Sequence, residues 1–318
     1  MVSRSTTTKV ASASGCPRSS KLLWKPAGGP VVPVDMGGTV GGRPDTGSPR
    51  HAVAGPDGPT LRVMGLRQTS WHGFYEVLAR RVRRPEWAFM NYGFAPLDPA
   101  VPLALEPGDE ADRFCIQLYE HVVAADLTGL DVLEVGCGRG GGASYLSRYR
   151  GPRSTTGVDL AAAAVATCAR ERRGPGLRFT TGDAQALPFP DDSFDVVVNV
   201  ESSHCYSSVP RFLAEVARVL RPGGRFFWAD FRPAGEVERT RAELRASGLA
   251  VDAEQDVTAE VVRALDLDSD RKLALVRAWL PRVAHPGFAR FAALPGSSSH
   301  RAFQERRTRY LSAALTAP

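Results

Sequence analysis

The feature that most constrains this chain is a run of glycines directly after a short apolar segment. In VLEVGCGRGGGASYL, residues 132–146, five of the seven residues from 136 to 142 are glycine. A backbone without side chains turns sharply and lets a ligand approach closely. The spacing fits two patterns: G-x-G-x-x-G, which is typical of dinucleotide sites, and E-x-G-x-G-x-G, which begins at Glu134. The loop therefore predicts a nucleotide-like ligand and leaves its identity open.

Short β-branched segments alternate with helical ones on both sides of this loop. The predicted strands are 131–137, 154–160, 177–184, 193–202 and 225–231. Strands separated by helices indicate a parallel sheet that is covered on both faces. We therefore predict an α/β fold with a Rossmann-like, doubly wound, mainly parallel sheet. Ligands of such sheets bind at the carboxyl ends of the strands.

The rest of the chain divides by composition. Residues 1–65 are rich in Ser, Thr, Gly and Pro, so we expect a disordered, low-complexity extension. A transit peptide and a translated upstream region both remain open there. Residues 66–128 are expected to form a helical lid and entry helices, including one helix with Phe74, Leu78 and Val82 at spacing four. Residues 129–318 would form the ligand-binding core, with a helical insertion around 258–290 and a final edge strand at 308–315.

Composition excludes several classes of protein. The net charge of +6 is mild, and no basic module interleaved with aromatics suggests nucleic acid. No apolar run approaches the roughly 18 to 20 residues that cross a bilayer. The five cysteines form no C-x-x-C pair, which favours a reducing, cytoplasmic location without disulfides or zinc. A homodimer remains open.

Acidic residues at the strand ends decide between the two ligand patterns. Glu134 lies inside the glycine motif, where its charge would repel a pyrophosphate but favour a sulfonium or an ammonium group. Asp159 ends the second strand, where it can hold the ribose hydroxyls of either ligand. Asp183 ends the third strand and can accept a hydrogen bond from an adenine amino group. The set predicts S-adenosylmethionine rather than a dinucleotide.

Five further motifs carry a family resemblance. Gly-Asp-Ala, Leu-Pro-Phe, Asp-x-Ser-Phe-Asp, a β-branched strand and Leu-Arg-Pro-Gly-Gly follow one another over residues 130–232. This order resembles that of the class I S-adenosylmethionine-dependent methyltransferases. The runs GGGASYL, NVESSHCY, RFLAEVARVLRPGG and ADFRP are similar to those of the phthiotriol and phenolphthiotriol dimycocerosates methyltransferases. The resemblance implies a seven-stranded fold and methylation of a hydroxyl on a bulky apolar lipid or polyketide-derived natural product.

The same resemblance implies roles for individual residues around the cofactor. Around the methionine part it places Glu134, Gly136, Gly138 and Gly140. Asp159 would hold the ribose. The adenine would meet Asp183, Ala184 and Leu160. The resemblance places Asn199 beside the cofactor, and it places Tyr92 in a lid segment over the cofactor.

His204 and Asp230 are the candidates for moving a proton. His204 follows one predicted strand and Asp230 closes the predicted neighbouring strand, at the edge of the sheet where the methyl group should point. Imidazole, with an ordinary pKa of about 6.5, can accept the proton of an alcohol. A carboxylate at Asp230 could fix its tautomer, as in related sugar and macrolide O-methyltransferases. Asp191 and Asp192 are explained by a turn, so no metal is expected.

Several alternatives remain open from the residues, and one of them is a dinucleotide-dependent oxidoreductase. The acceptor could be a nitrogen or a carbon atom of a small molecule. The chain could instead bind S-adenosylmethionine as a structural ligand and promote a cyclisation. Glu201 is a weaker candidate for the base or for a contact to the acceptor.

Overall fold

A computed structural model describes residues 87–98, 101–279 and 281–318. The predicted disorder of residues 1–65 and the predicted helix through Phe74, Leu78 and Val82 lie outside these residues. Both therefore stay predictions.

A seven-stranded sheet forms the centre of the molecule, as predicted. Its order is β3-β2-β1-β4-β5-β7-β6, with parallel pairing from β3 through to β5. The strands are β1 (Asp131–Val135), β2 (Ser154–Asp159), β3 (Leu177–Thr181), β4 (Phe194–Val200), β5 (Leu220–Pro233), β6 (Ala250–Asp256) and β7 (Thr308–Thr316). The chain order reverses between β1 and β4, which is where ligands bind in sheets of this kind.

The prediction that residues 308–315 form an edge strand is wrong. Strand β7 lies between β5 and β6 and pairs antiparallel with both. Its residues from Tyr310 to Leu315 are all buried, whereas the first three residues of β6 are exposed. A strand that is buried on both faces usually has a continuous run of apolar residues. The mainly apolar sequence YLSAAL fits this inner position.

Nine α-helices pack around the sheet in the described residues. They are α1 (Arg113–Val122), α2 (Gly141–Tyr149), α3 (Ala162–Glu171), α4 (Val209–Val219), α5 (Val237–Arg245), α6 (Thr258–Leu267), α7 (Ser269–Trp279), α8 (His285–Phe291) and α9 (Ser298–Gln304). Ser208 caps the start of α4, because its hydroxyl accepts a hydrogen bond from the Arg211 amide at 3.3 Å. None of the helices in these ranges is long and apolar enough to span a membrane.

Alternate residues of the central strands point to opposite faces of the sheet and contribute to two apolar layers, one on each face. Val198 and Phe227 belong to the layer that α1 and α6 cover. Val197, Phe226 and Trp228 belong to the layer that α4 and α5 cover. The sheet is therefore held rigidly from both sides, and its carboxyl-end edge is a fixed platform for a site.

Replacement of Phe227 with Ala tests this packing. Its side chain is fully buried in β5, so we expect a loss of about 3–5 kcal/mol in the free energy of unfolding. Val251→Ala on the outer strand β6 is the control, because Val251 is 38% exposed and should cost no more than about 0.5 kcal/mol. Urea denaturation measures both, and equal losses would contradict the layered core.

Candidate active site

The glycine loop joins β1 to α2 in the backbone conformation that glycine allows best. Gly136, Gly138 and Gly140 have φ values of +74°, +51° and +74°. Side chains other than glycine adopt such angles rarely. A methyl group on Gly136 would overlap the Ser202 hydroxyl, and one on Gly138 would come within 2.6 Å of Met90 Cε. The loop is therefore a cradle without room for side chains of its own.

Glu134 lies at the floor of this cradle and is only 1% exposed. Its Oε1 accepts a hydrogen bond from the Tyr119 hydroxyl at 2.6 Å. Burial raises the pKa of Glu134 to about 7, against the opposing effect of that hydrogen bond. A positively charged neighbour would restore the charged form of this carboxyl group.

Two buried acceptor atoms at the end of β1 and β4 have no donor among the described residues. They are Oε2 of Glu134 and Oδ1 of Asn199. The side-chain nitrogen Nδ2 of Asn199, in contrast, has a partner, since it donates a hydrogen bond to the Val135 carbonyl at 2.9 Å. Buried polar atoms normally have partners. Unmatched acceptors in a glycine cradle fit a ligand that brings positive charge and N–H donors, as S-adenosylmethionine does.

The carboxylates predicted for the ribose and the adenine lie at the same edge of the sheet. Asp159 accepts hydrogen bonds from the Gly138 amide at 2.8 Å and the Ala161 amide at 2.9 Å. Leu160, next to it, is 47% exposed, which leaves its side chain available to a planar ligand. Asp183 accepts the Gln185 amide at 2.8 Å, and the adjacent Ala184 is buried. Both aspartates are therefore held by backbone amides.

Residues 87–92 run across the loop and form one wall of the site. Arg139 Nε donates to the Trp87 carbonyl at 2.6 Å, and Met90 lies over Gly138. Tyr92 lies farther along, where its ring is 5.4 Å from that of Phe231. Its hydroxyl donates to the Phe291 carbonyl at 3.2 Å. The residue of this segment that touches Gly138 is thus Met90, which sequence reasoning missed because methionine carries no motif.

His204 and Asp230 meet directly. His204 lies in a short turn after β4, Ser203–Cys205, and Asp230 lies in β5 beside it. His204 Nδ1 is 2.8 Å from Asp230 Oδ1, and the His204 amide donates to Oδ2 at 2.8 Å. The imidazole ring packs on Phe231 with 4.3 Å between ring centroids. Its side chain remains 22% exposed, and Asp230 engages only Nδ1 of the two ring nitrogens.

Asp230 is completely buried and held by several donors. Besides His204, it accepts hydrogen bonds from the Ser203 hydroxyl at 2.6 Å and the Phe231 amide at 2.8 Å. Arg232 Nη1 lies 3.1 Å from Oδ2. Arg232 and Trp228 also both donate to the Ser203 hydroxyl. Ser203 and Arg232 were not predicted, although they lie inside the ESSHCY and ADFRP runs.

This network sets the protonation of the pair. Burial alone would lower the pKa of His204, but the charge and hydrogen bond of Asp230 outweigh it and raise that pKa to about 10. Burial acts to raise the pKa of Asp230, and His204 and Arg232 together hold it well below its ordinary value instead. The geometry therefore favours an imidazolium paired with a carboxylate, the state that follows proton uptake by His204.

Glu201 is a half-buried carboxyl group close to this pair. It has a φ of +48°, a left-handed conformation that residues other than glycine adopt rarely. Its Oε1 accepts hydrogen bonds from the Tyr92 amide at 2.7 Å and from the Tyr310 hydroxyl at 2.9 Å. Burial raises its pKa to about 7. Glu201 therefore ties the segment at Tyr92 to β4 and β7, a link that the sequence did not indicate.

In the described ranges, no three His, Cys, Asp or Glu side chains lie together as the ligands of a metal ion would. Asp191 lies in the turn before β4, where it accepts from Arg218 at 2.8 Å.

Comparisons with known proteins agree with this geometry. Residues 133–228 match the family described as "Methyltransferase domain". A probable phthiotriol/phenolphthiotriol dimycocerosates methyltransferase 2 of Mycobacterium ulcerans is 46% identical over 66% of this chain and 82% of its own length. A fatty-acid O-methyltransferase of Mycolicibacterium smegmatis is 40% identical over 74% of this chain and 85% of its own length.

A solved structure shares the fold. The geranyl diphosphate C-methyltransferase of Streptomyces coelicolor, in complex with Mg²⁺, geranyl diphosphate and S-adenosyl-L-homocysteine, superposes with a TM-score of 0.55. It is 18% identical and covers 80% of this chain and 98% of its own.

Fold and site together define a class I methyltransferase whose cofactor is S-adenosylmethionine. The chain belongs to the methyltransferase family that includes the phthiotriol/phenolphthiotriol dimycocerosates methyltransferases.

The titration of His204 tests the buried pair. Asp230→Asn removes the charge that raises the pKa of His204 but leaves the burial that lowers it, so that pKa should fall below about 6.5. In the native protein the ring should remain protonated well above that pH. NMR of the histidine side chains, assigned with His204→Gln, measures both.

The matched control for this titration is Asp266→Asn. Asp266 is 2.8 Å from His300 Nε2 and does not contact His204. Its replacement should leave the titration of His204 unchanged. A native His204 that titrates at its ordinary pKa would refute the ionised pair.

Proposed function

We propose that this enzyme transfers a methyl group to a hydroxyl of a bulky, largely apolar natural product or lipid, with His204 as general base and Asp230 as the residue that orients it. The observation that carries the proposal is the His204–Asp230 hydrogen bond of 2.8 Å at the carboxyl ends of β4 and β5. The names of the lipid- and fatty-acid-methylating relatives support an apolar acceptor.

S-adenosylmethionine supplies an activated methyl group, so the chain's own task is to bind, align and exclude water. Glu134 and Asn199 would hold the methionine part through their unmatched oxygens, above the cradle of Gly136, Gly138 and Gly140. Asp159 would hold the ribose. The adenine would contact Asp183, Ala184 and Leu160. Tyr92 would belong to the lid over this site.

His204 would accept the proton of the acceptor hydroxyl at Nε2. Asp230 engages Nδ1, and this hydrogen bond selects the tautomer whose free lone pair lies on Nε2. As the proton arrives, the ring becomes an imidazolium that the buried carboxylate stabilises. The proton would be taken while the C–O bond forms and the bond between the methyl group and sulfur breaks, with S-adenosylhomocysteine as the leaving group, so the alcohol need not ionise beforehand.

Proton uptake also makes the reaction depend on pH in a definite direction. Since Asp230 raises the pKa of His204 to about 10, the unprotonated base is the minor form near neutral pH. The rate constant should therefore increase as the pH is raised toward that value.

Replacement of His204 with Ala tests the role of the base. Turnover should fall by about 10²–10⁴-fold, since a positioned general base contributes about that much. Affinity for S-adenosylhomocysteine, measured by calorimetry, should stay within about threefold because Asp230, Glu134 and the glycine loop remain. The assay supplies cofactor labelled on its methyl group together with a lipid alcohol, and product is analysed by mass spectrometry.

Each outcome of that assay bears on a different statement. Full activity in His204→Ala would overturn the assignment of the base. A labelled amine or carbon product would overturn the hydroxyl acceptor. An unlabelled, rearranged product would favour cyclisation instead of transfer.

The glycine cradle has its own test. Gly136→Ala should weaken binding of S-adenosylhomocysteine at least tenfold, because the new methyl group overlaps Ser202 and displaces the wall of the site. Gly223→Ala is the matched control: it has the same φ of +74° but no neighbour within 4 Å of the added carbon. Both substitutions carry a similar strain of about 1–2 kcal/mol. Only the first should change affinity in calorimetry, and equal affinities would contradict the cradle.

A further inference from the structure

The positive charge of this protein is concentrated in one stretch of the chain. Residues 271–304 include most of α7 and all of α8 and α9. This stretch, called the basic segment below, has six Lys and Arg residues and no Asp or Glu. The net charge of the whole chain is also +6, so the charges of the remaining residues balance one another. The basic segment therefore accounts for the net charge of the protein.

Three of the six cations have partners within the protein. Arg271 Nε lies 2.6 Å from Asp268, and Lys272 Nζ lies 3.3 Å from the same carboxylate. Arg301 donates a hydrogen bond to the Gly296 carbonyl at 2.7 Å. These three side chains hold the helices in place and are not available to a partner.

The other three cations face solvent. Arg277 lies in α7, Arg282 lies in the short turn Arg282–Ala284, and Arg290 lies in α8. All three are exposed, and no ion pair joins any of them to a carboxylate of the described residues. Exposed cations of one sign attract an anionic partner from solution.

An apolar side chain lies among these cations. Val283 follows Arg282 in the turn and is 88% exposed, and the exposed Pro281 and Pro286 lie on either side of it in the chain. An anionic bilayer suits this combination, because its headgroups attract the guanidinium groups and its interface takes up the apolar side chain. An acidic protein would pair with the arginines but would place charged groups against Val283. The combination therefore favours a bilayer.

The inner side of the basic segment contacts residues 87–92, which form one wall of the site. Phe288 packs on Trp87 with 5.4 Å between ring centroids. The Phe291 carbonyl accepts a hydrogen bond from the Tyr92 hydroxyl at 3.2 Å. Helix α8 thus turns its aromatic residues to this wall and Arg290 to solvent. A surface bound to the outer side of α8 would lie next to the site.

We propose that Arg277, Arg282, Val283 and Arg290 form a docking surface that binds this enzyme to an anionic lipid bilayer. The arginines bind the headgroup phosphates, and Val283 enters the boundary between headgroups and acyl chains. The inference goes beyond the proposed function, since it concerns where the enzyme binds and not which atom it methylates. Docking brings the site to the surface in which an apolar acceptor is dissolved.

Cosedimentation of the full chain with vesicles tests the docking surface without any need for turnover. Vesicles of phosphatidylcholine that contain about one quarter phosphatidylglycerol should bind the protein. Vesicles of phosphatidylcholine alone should bind it at least tenfold more weakly. Because salt screens exposed charges, raising NaCl from about 0.05 to 0.5 M should weaken binding to the anionic vesicles at least tenfold. Equal binding to both kinds of vesicle, or no binding to the anionic ones, would overturn the proposal.

Two sets of three substitutions separate the docking surface from the net charge of the chain. The test set is Arg277→Gln, Arg282→Gln and Arg290→Gln. The control set removes the same charge from exposed positions elsewhere and is Arg173→Gln, Arg178→Gln and Arg245→Gln. The test set should weaken binding to anionic vesicles about 100-fold, since each basic residue at such a surface contributes about fivefold. The control set should change it less than threefold, and equal weakening by both sets would overturn the proposal.

Replacement of Val283 with Ser tests whether the partner is a bilayer. Loss of the inserted side chain should weaken binding to anionic vesicles about tenfold. Val251→Ser is the control, since Val251 lies at the amino end of β6, away from the site, and should leave binding unchanged. Unchanged binding in Val283→Ser would overturn the bilayer as the partner and favour an acidic protein.

Two further measurements separate this inference from the proposed function. Affinity for S-adenosylhomocysteine should be the same in every variant, because none of the replaced residues belongs to the cofactor loop. Vesicle binding that depends on the arginines, without any labelled ether in the product assay, would keep the docking surface and remove the hydroxyl acceptor. Labelled ether from an enzyme without affinity for anionic vesicles would keep the transfer and remove the docking surface.

Discussion

The parallel pairing of β4 with β5 is the constraint on which the site depends. Asn199 lies opposite Trp228, and Val200 opposite Ala229. Both strands therefore reach the same edge of the sheet, so His204 and Asp230 meet although 26 residues separate them. Because the two apolar layers hold these strands from both faces, the sheet fixes the position of Asp230 and the end of β4 from which the short turn with His204 starts.

A buried carboxylate at this place needs compensation, and the neighbouring sequence supplies it. Asp230 is fully buried and has the Arg232 guanidinium, the Ser203 hydroxyl and two backbone amides as partners besides the imidazole. An unpaired charge in such surroundings would neutralise itself by a shift of its pKa. Arg232 shares the carboxylate with His204 and thereby moderates the pull of Asp230 on the imidazole proton. The pKa of His204 therefore depends on how the Asp230 carboxylate is shared between the imidazolium of His204 and the guanidinium of Arg232.

Much of this architecture could be predicted from local patterns in the sequence. Strand, glycine loop and helix follow from such patterns, and parallel pairing carries the acidic residues to one edge without further information. The position of β7 did not follow, since an antiparallel strand that inserts between β5 and β6 depends on long-range pairing that no local period records. The sequence named Glu201 only as a weaker candidate for the base or for a contact to the acceptor. Its link to Tyr92 and Tyr310 could not be predicted for a similar reason, since both partners are 109 residues away. The contact of Met90 with Gly138 depends on packing between separate elements, which an apolar residue in a sequence does not indicate.

The inner position of β7 has a consequence for how the sheet assembles. Strand β6 makes its backbone pairs only with β7 among the strands described, and β5 has β7 as its outer neighbour. Until residues 308–316 have emerged from the ribosome, β5 has an open hydrogen-bonding edge and β6 has nothing to pair with. Such edges recruit other chains. The half of the sheet that carries Asp230 is therefore completed only after residues 308–316 have been synthesised, and until then the open edge of β5 can pair with another chain.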